Sequence, residues 1–375
     1  MIMGLVFNPK VELMPKEELR KLQERRLRAQ LRRVYEHSTF HRQRFKDAGV
    51  TPEEIRSIED LRKLPLVTRE DLQRAVKDSG DFYGGRLCVP ADRLILTISP
   101  PEWPFTPLED VPVVTALTVA DQKEVVELLT RIWVMEGVSP KDLVQLQCWG
   151  WEPFGFAFSF PSHTFGLASV GGVLGCRIIP QELFVPDVPR TIHMGRFFKP
   201  DVLFTTETAL ATLESYLTPV REGEKVTVEV AVSETTSFKV VKEEEFSPRS
   251  IGYRIIVLRA PLYELSYVDE EKRNRIKEVW GVENVFTLLD IQDNLFYASD
   301  CAEHCGLHVW EDAFVVEVVD ESGECVSAGE RGDLVITNIF AEATPIIRYK
   351  TGIAASFEDE RCGCGRTHRR IFLHL

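Results

Sequence analysis

Between Thr118 and Val279 the chain alternates short β-branched apolar runs with amphipathic helical stretches, and this alternation leaves few folds open to it. The spacing predicts a helix over Thr118–Met135, with Val125, Leu128, Leu129 and Ile132 on one side. Strand Leu143–Gln147, helix Phe165–Leu174, strands Cys176–Ile179 and Val202–Thr205, helix Glu207–Tyr216, strand Ile255–Leu258 and helix Glu270–Val279 continue the series. Strands that return through helices pair in parallel and need helices to cover them, so the expected class is α/β around a mostly parallel sheet. Residues 221–250 interrupt the series with alternating, charge-rich sequence that reads as a hairpin or an inserted loop. From Ala313 the chain turns β-rich: Phe314–Val319 and Leu334–Ile339 flank the turn Asp320-Glu321-Ser322-Gly323.

Upstream, Leu19, Leu22, Leu27, Leu31, Val34 and Tyr35 predict one helix from Lys16 to about Phe45. Its Arg20, Lys21, Arg25, Arg26, Arg28, Arg32 and Arg33 read as a solvated face rather than an anion or membrane surface. Thr51 with Glu54, Ser57 with Asp60 and Thr68 with Asp71 are helix-start signals, so short helices are expected over 50–77. Five prolines between Leu94 and Val114 make that stretch an irregular connection.

The 375 residues carry a net charge of −13, which argues against a nucleic-acid-binding face. No apolar run is long enough to span a bilayer. The apolar start, Met1–Phe7, has neither a basic leader nor a cleavage site, so a cytoplasmic protein is expected.

Of eight cysteines, five follow residue 300. Cys301-x6-His308 and Cys362-x-Cys364 offer three thiolates and one imidazole, the donor set of a closed structural zinc site. His304, Cys305 and His368 are substitutes within reach of the same pattern, and separate reduced cysteines beside a surface histidine is the other reading. Trp149, Trp151, Phe154, Phe156, Phe158 and Phe160 crowd together among Gly150 and Gly155. Residue type alone favours core for this stretch over a cavity lining.

Four stretches together resemble the phenylacetate–CoA ligase branch of the adenylate-forming enzymes. They are Thr51–Leu72, Cys148–Pro180, Asp300–Asp312, and Ala328–Gly352 followed by Cys362–Ile371. The resemblance implies the large N-terminal domain of such a ligase: a helical entry (1–90), two α/β lobes (91–220 and 221–295) and a small β-rich lobe with the zinc site (296–375). It implies a carboxylate joined to CoA through an acyl-adenylate made from ATP with magnesium. It favours zinc at Cys301, His308, Cys362 and Cys364, and it makes Trp149, Gly150, Trp151 and Phe154 the lining of an aryl or acyl pocket.

The departures from the family all fall on its nucleotide site. Its phosphate loop needs glycine for close backbone approach, whereas Leu94–Val114 has none, and proline removes donors. The family's Tyr-Gly-x-x-Glu becomes Phe286-Thr287-Leu288-Leu289-Asp290, leaving Asp290 as a shortened magnesium-site acid. The glycine expected near the adenine is replaced within Arg259-Ala260-Pro261. Tyr349 and Thr351 survive from Tyr-x-Thr-Gly-Asp, but Ile353 stands where the ribose-binding carboxylate belongs. The sequence given also stops at Leu375, before the family's mobile lid with its adenylation lysine.

Three readings stay open. The first is a non-catalytic or regulatory binder of an aryl or acyl carboxylate or CoA thioester, without ATP and magnesium chemistry, alone, as a homodimer or with a protein partner. The second is a working carboxylate–CoA or acyl-protein ligase with unusual nucleotide contacts or a partner-supplied lid, and single-lobed relatives that acylate a cysteine would give Cys362 or Cys364 that role. The third is a structural subunit of a complex.

Overall fold

The computed structural model describes residues 5–98, 111–148, 157, 169–181, 188–217, 225–233, 236–242 and 246–375. Helices α1 (Pro9–Glu12), α2 (Lys16–His37) and α3 (Thr39–Ala48) come first. The periodicity expected to make one helix of residues 16–45 is split at Ser38. Ser38 is extended, its hydroxyl accepts the His41 amide to cap α3, and it donates to the Gly85 carbonyl at 2.8 Å. A distant backbone group therefore helps to set the break. Several basic residues of α2 dock rather than float: Arg26 reaches the Asp312 carbonyl at 2.6 Å, and Arg20 pairs with Glu59.

Thr51 and Glu54 form a capping box on a 3-10 turn, Pro52–Glu54, and a second turn spans Glu59–Lys63. Thr68 and Asp71 form another box that starts α4 (Arg69–Ser79). Of the short helices expected here, only the last is α-helical. The second is kept short because Pro65 follows closely, and an α-helix needs several turns to repay its nucleation.

Strand β1 (Leu94–Ile98) pairs antiparallel with β2 (Thr115–Thr118). Thr118 and Asp121 make the capping box of α5 (Val119–Met135). Then follow β3 (Leu143–Gln147), α6 (Val170–Leu174), β4 (Arg177–Gln181), α7 (Val188–Phe198), β5 (Val202–Thr206) and α8 (Glu207–Ser215). The helix expected over Phe165–Leu174 starts later: α6 begins at Val170, capped by the extended Ser169, and residues 165–168 lie outside the described residues. Strands β6 (Val226–Ser233) and β7 (Thr236–Lys242) pair antiparallel. Next come β8 (Ile255–Pro261), α9 (Glu270–Trp280) and β9 (Asn284–Ile291). The remaining strands are β10 (Phe296–Ser299), β11 (Leu307–His308), β12 (Phe314–Val319), β13 (Gly332–Asn338), β14 (Tyr349–Glu358) and β15 (Arg370–Leu373).

One sheet joins almost all of this, in the order β12-β13-β14-β15-β11-β10-β9-β8-β5-β3-β4. From β4 to β9 its neighbours are parallel, and from β9 to β12 they are antiparallel. Side chains along the parallel strands alternate between two cores. Val202, Phe204, Ile255 and Val257 join the core that includes α5, while Leu203, Ile256, Leu258 and Val285 join residues of α7, α8 and α9. This two-sided burial explains why these strands read as continuous apolar runs.

Candidate metal centre and substrate site

Cys301, His308, Cys362 and Cys364 converge: their ligand atoms all lie within 4.8 Å of one another, and all four residues are buried. Cys301 follows β10, His308 ends β11, and Cys362 and Cys364 sit on the turn before β15. Pairing of β11 with both β10 and β15 closes the sequence gap between the pairs. Cys301 Sγ lies 3.7 Å from Cys362 Sγ, and Cys364 Sγ lies 3.6 Å from His308 Nε2. The Arg366 Nη1 group points at Cys364 Sγ from 3.6 Å, while its Nε donates to Glu12 at 2.8 Å. Hydrogen bonds from Cys301, then Cys362 and His308, hold the Cys364 thiol far below its ordinary range. Contact with Cys305, then Cys362 and Cys364, pushes Cys301 up. Crowded sulfurs cannot all ionise without a cation among them.

Of the substitutes, Cys305 Sγ sits 3.4 Å from Cys362 Sγ. His304 is held elsewhere, its Nδ1 2.5 Å from Asp300 and its Nε2 2.8 Å from Asn284. His368 accepts the Glu311 amide at Nδ1, and its Nε2 meets the Val11 carbonyl.

A second polar cluster occupies the carboxyl ends of β8 and β9, the end at which open parallel sheets bind ligands. Asp290 faces Pro261 across the strand pair, and its Oδ2 accepts Arg259 Nε at 2.7 Å. Both side chains are 0% exposed. Burial outweighs the Arg259 charge and raises the Asp290 carboxyl to about 6. Nearby, Asp293 Oδ2 accepts Tyr349 OH at 2.7 Å and Arg69 Nη1 at 2.5 Å. Tyr349 thus joins the cluster, and burial raises its phenol well above its ordinary range. Thr351 does not join: its hydroxyl donates to the Leu334 carbonyl at 3.0 Å. Ile353 is 2% exposed and packs in the larger core.

Trp149, Gly150, Trp151 and Phe154 lie outside the described residues, as does most of the proline-rich connection. Sequence reasoning passed over Arg69 and Asp293, and noted Arg259 only as a missing glycine. The signal available was a charge at the end of an apolar strand, Ile255–Leu258 into Arg259. No helix among the described residues is long and apolar enough to cross a membrane.

Comparison with known proteins agrees with this architecture. No family model matches the chain. The crystal structure of 2-hydroxyisobutyryl-CoA ligase in an open conformation with 2-HIB-AMP and CoA superposes with a TM-score of 0.77 at 21% identity, covering 99% of this chain and 77% of that one. Its postadenylation state superposes with a TM-score of 0.76 at 22% identity, covering 100% of this chain and 72% of that one. The chain shares its fold with this CoA ligase. In sequence, the chain is 28% identical to phenylacetate-coenzyme A ligase of Thermus thermophilus over 98% of its length and 72% of the relative's. It is 27% identical to the Escherichia coli phenylacetate-coenzyme A ligase over 91% of its length and 68% of the relative's. Along nearly its whole length the chain is similar to phenylacetate-coenzyme A ligases.

Proposed function

We propose that this protein binds an aryl or acyl carboxylate, or its CoA thioester, without the ATP- and magnesium-dependent adenylation that the family resemblance implies. The Arg259–Asp290 pair carries this reading. A magnesium-site acid must offer oxygens to a hydrated cation. Here Asp290 is fully buried and already neutralised by a guanidinium at 2.7 Å. Ile353 in the core, and prolines where a phosphate cradle would need glycine, support the same reading. CoA and an acyl-adenylate are named in the complexes of the structural neighbours, which supports acyl chemistry as the ligand class.

A working ligase with unusual nucleotide contacts is the second reading, and one observation favours it. Asp293 Oδ1 is buried without a hydrogen-bond partner, as it would be if a polar ligand completed it. Calorimetric titration with ATP–magnesium, a panel of aryl and acyl carboxylates, and CoA separates the readings. Carboxylate or thioester binding without ATP is the expected result. Carboxylate-dependent pyrophosphate release overturns it in favour of the ligase, and no binding at all favours a structural subunit.

The Cys301, His308, Cys362 and Cys364 cluster is proposed to hold structural zinc. Tetrahedral zinc, with sulfur at ~2.3 Å and nitrogen at ~2.0–2.1 Å, sets sulfur–sulfur edges of about 3.8 Å and sulfur–nitrogen edges of about 3.5 Å. The edges here are 3.7 and 3.6 Å. With all four positions filled by protein, the metal would supply cross-linking rather than reactivity. Elemental analysis is the test, and metal-replete protein with less than about half an equivalent of zinc sinks the assignment. Reduced cysteines at the cluster support a reducing, cytoplasmic setting.

A further inference from the structure

The metal cluster has one sulfur too many. Cys301, Cys305, Cys362 and Cys364 together with His308 make five donors for a tetrahedron that takes four. Cys305 is the surplus one, and it differs from the rest in two respects. It is only partly buried while the other three cysteines are buried. Its Sγ also lies 3.4 Å from Cys362 Sγ, nearer than the 3.7 Å separating Cys301 from Cys362.

We propose that Cys305 is an oxidation site whose product, a Cys305–Cys362 disulfide, releases the metal clip. The inference rests on the zinc reading above for its metal, but not for the disulfide. A hydroperoxide is the oxidant. The Cys305 sulfur attacks one peroxide oxygen, the O–O bond breaks, and a sulfenic acid and water form when the oxidant is hydrogen peroxide. The Cys362 sulfur then attacks the Cys305 sulfur, the S–O bond breaks, and hydroxide leaves and takes up a proton to become water. Two cysteine sulfurs are oxidised, one peroxide is reduced to two waters, and the metal loses one of its four ligands. Forming the bond requires the sulfurs to close from 3.4 Å to about 2.05 Å, a travel of about 1.4 Å.

The consequence follows from what the clip holds. Two residues after Cys364, Arg366 forms a buried ion pair with Glu12 of α1, and Thr367 and His368 bond the Met14 and Val11 carbonyls. Loss of Cys362 from the metal therefore loosens the attachment of the N-terminal helices to the sheet.

The test treats zinc-replete full-length protein with hydrogen peroxide. It follows zinc with a chromogenic chelator and maps disulfides by mass spectrometry of non-reduced digests. Zinc release together with a Cys305–Cys362 cross-linked peptide, both reversed by a thiol reductant and added zinc, is the expected result. C305S should keep its zinc and release it at least roughly tenfold more slowly under peroxide. Should C305S fold poorly, prior alkylation of Cys305 with N-ethylmaleimide gives the same protection. A disulfide mapped only between other cysteines, unaltered release from C305S, or loss of zinc from unoxidised C305S would each overturn the proposal. Protein that lacks zinc from the outset but still forms the Cys305–Cys362 link contradicts the metal assignment alone.

Discussion

The Arg259 guanidinium and the Asp290 carboxylate meet at 2.7 Å, and neither side chain is exposed to solvent. The pair sits at the ends of β8 and β9, where the parallel half of the sheet finishes and the antiparallel half begins. A buried ion pair adds little net stability, but breaking it from one side leaves a charge in a low-dielectric interior.

Replacing Arg259 with Leu should therefore destabilise the fold by about 3–5 kcal/mol in urea denaturation. The double replacement R259L/D290L should recover most of that loss. A double variant as unstable as R259L would show that the cost lies in packing rather than in charge.

Asp290 also predicts a pH dependence. Its carboxyl is raised from 3.8 to about 6 in the folded state. Between these values the folded protein holds a proton that the unfolded chain has lost, so this group's stabilisation is full below pH 3.8 and is lost as pH rises through 6. The loss amounts to about 3 kcal/mol. It is measured as the difference in stability slope between wild type and D290N from pH 4 to 7.

His41 should act in the opposite direction. Burial lowers its imidazole from 6.5 to about 3, and its Nε2 meets the Pro345 carbonyl at 3.0 Å. The unfolded chain takes up a proton that the folded one refuses, so stability falls as pH drops from 6.5 toward 3. The effect approaches about 2 kcal/mol by pH 5. H41Q should lose this part of the acid sensitivity, and an unchanged acid midpoint would contradict the assignment.

Asp121 ties α5 to a loop more than two hundred positions later. Its carboxylate accepts the Thr118, Glu342 and Ala343 amides at 2.8, 2.5 and 3.2 Å. D121A strands three amides and should cost about 3 kcal/mol or more. D121N, which keeps one acceptor oxygen, should cost less, and thermal denaturation of the two variants ranks them.

Metal removal should be visible as loss of anchoring. Chelation, or C364S, should lower the melting temperature by roughly 5 °C or more. It should also speed proteolysis near Glu12, which the Cys364–Arg366 contacts hold in place. Equal melting curves with and without chelator would argue that the cluster carries no metal.

Local pattern determined much of this protein. The α/β class, the antiparallel pairing of β6 with β7 and the helix starts at Thr68 and Thr118 follow from side-chain periodicity and from caps acting within three residues. The four residues named as metal ligands could be chosen because cysteine and histidine carry their chemistry as residue types. Tertiary structure decided what depends on partners far along the chain. Ser38 breaks the first long helix partly because Gly85 lies beside it. Asp290 is neutralised because strand pairing brings Arg259 alongside. Cys305 stands beside Cys362 while only partly buried because of how its loop lies against the turn before β15. A sequence states which charges and sulfurs a chain owns, but burial and distance set their energies, and only the folded sheet supplies those.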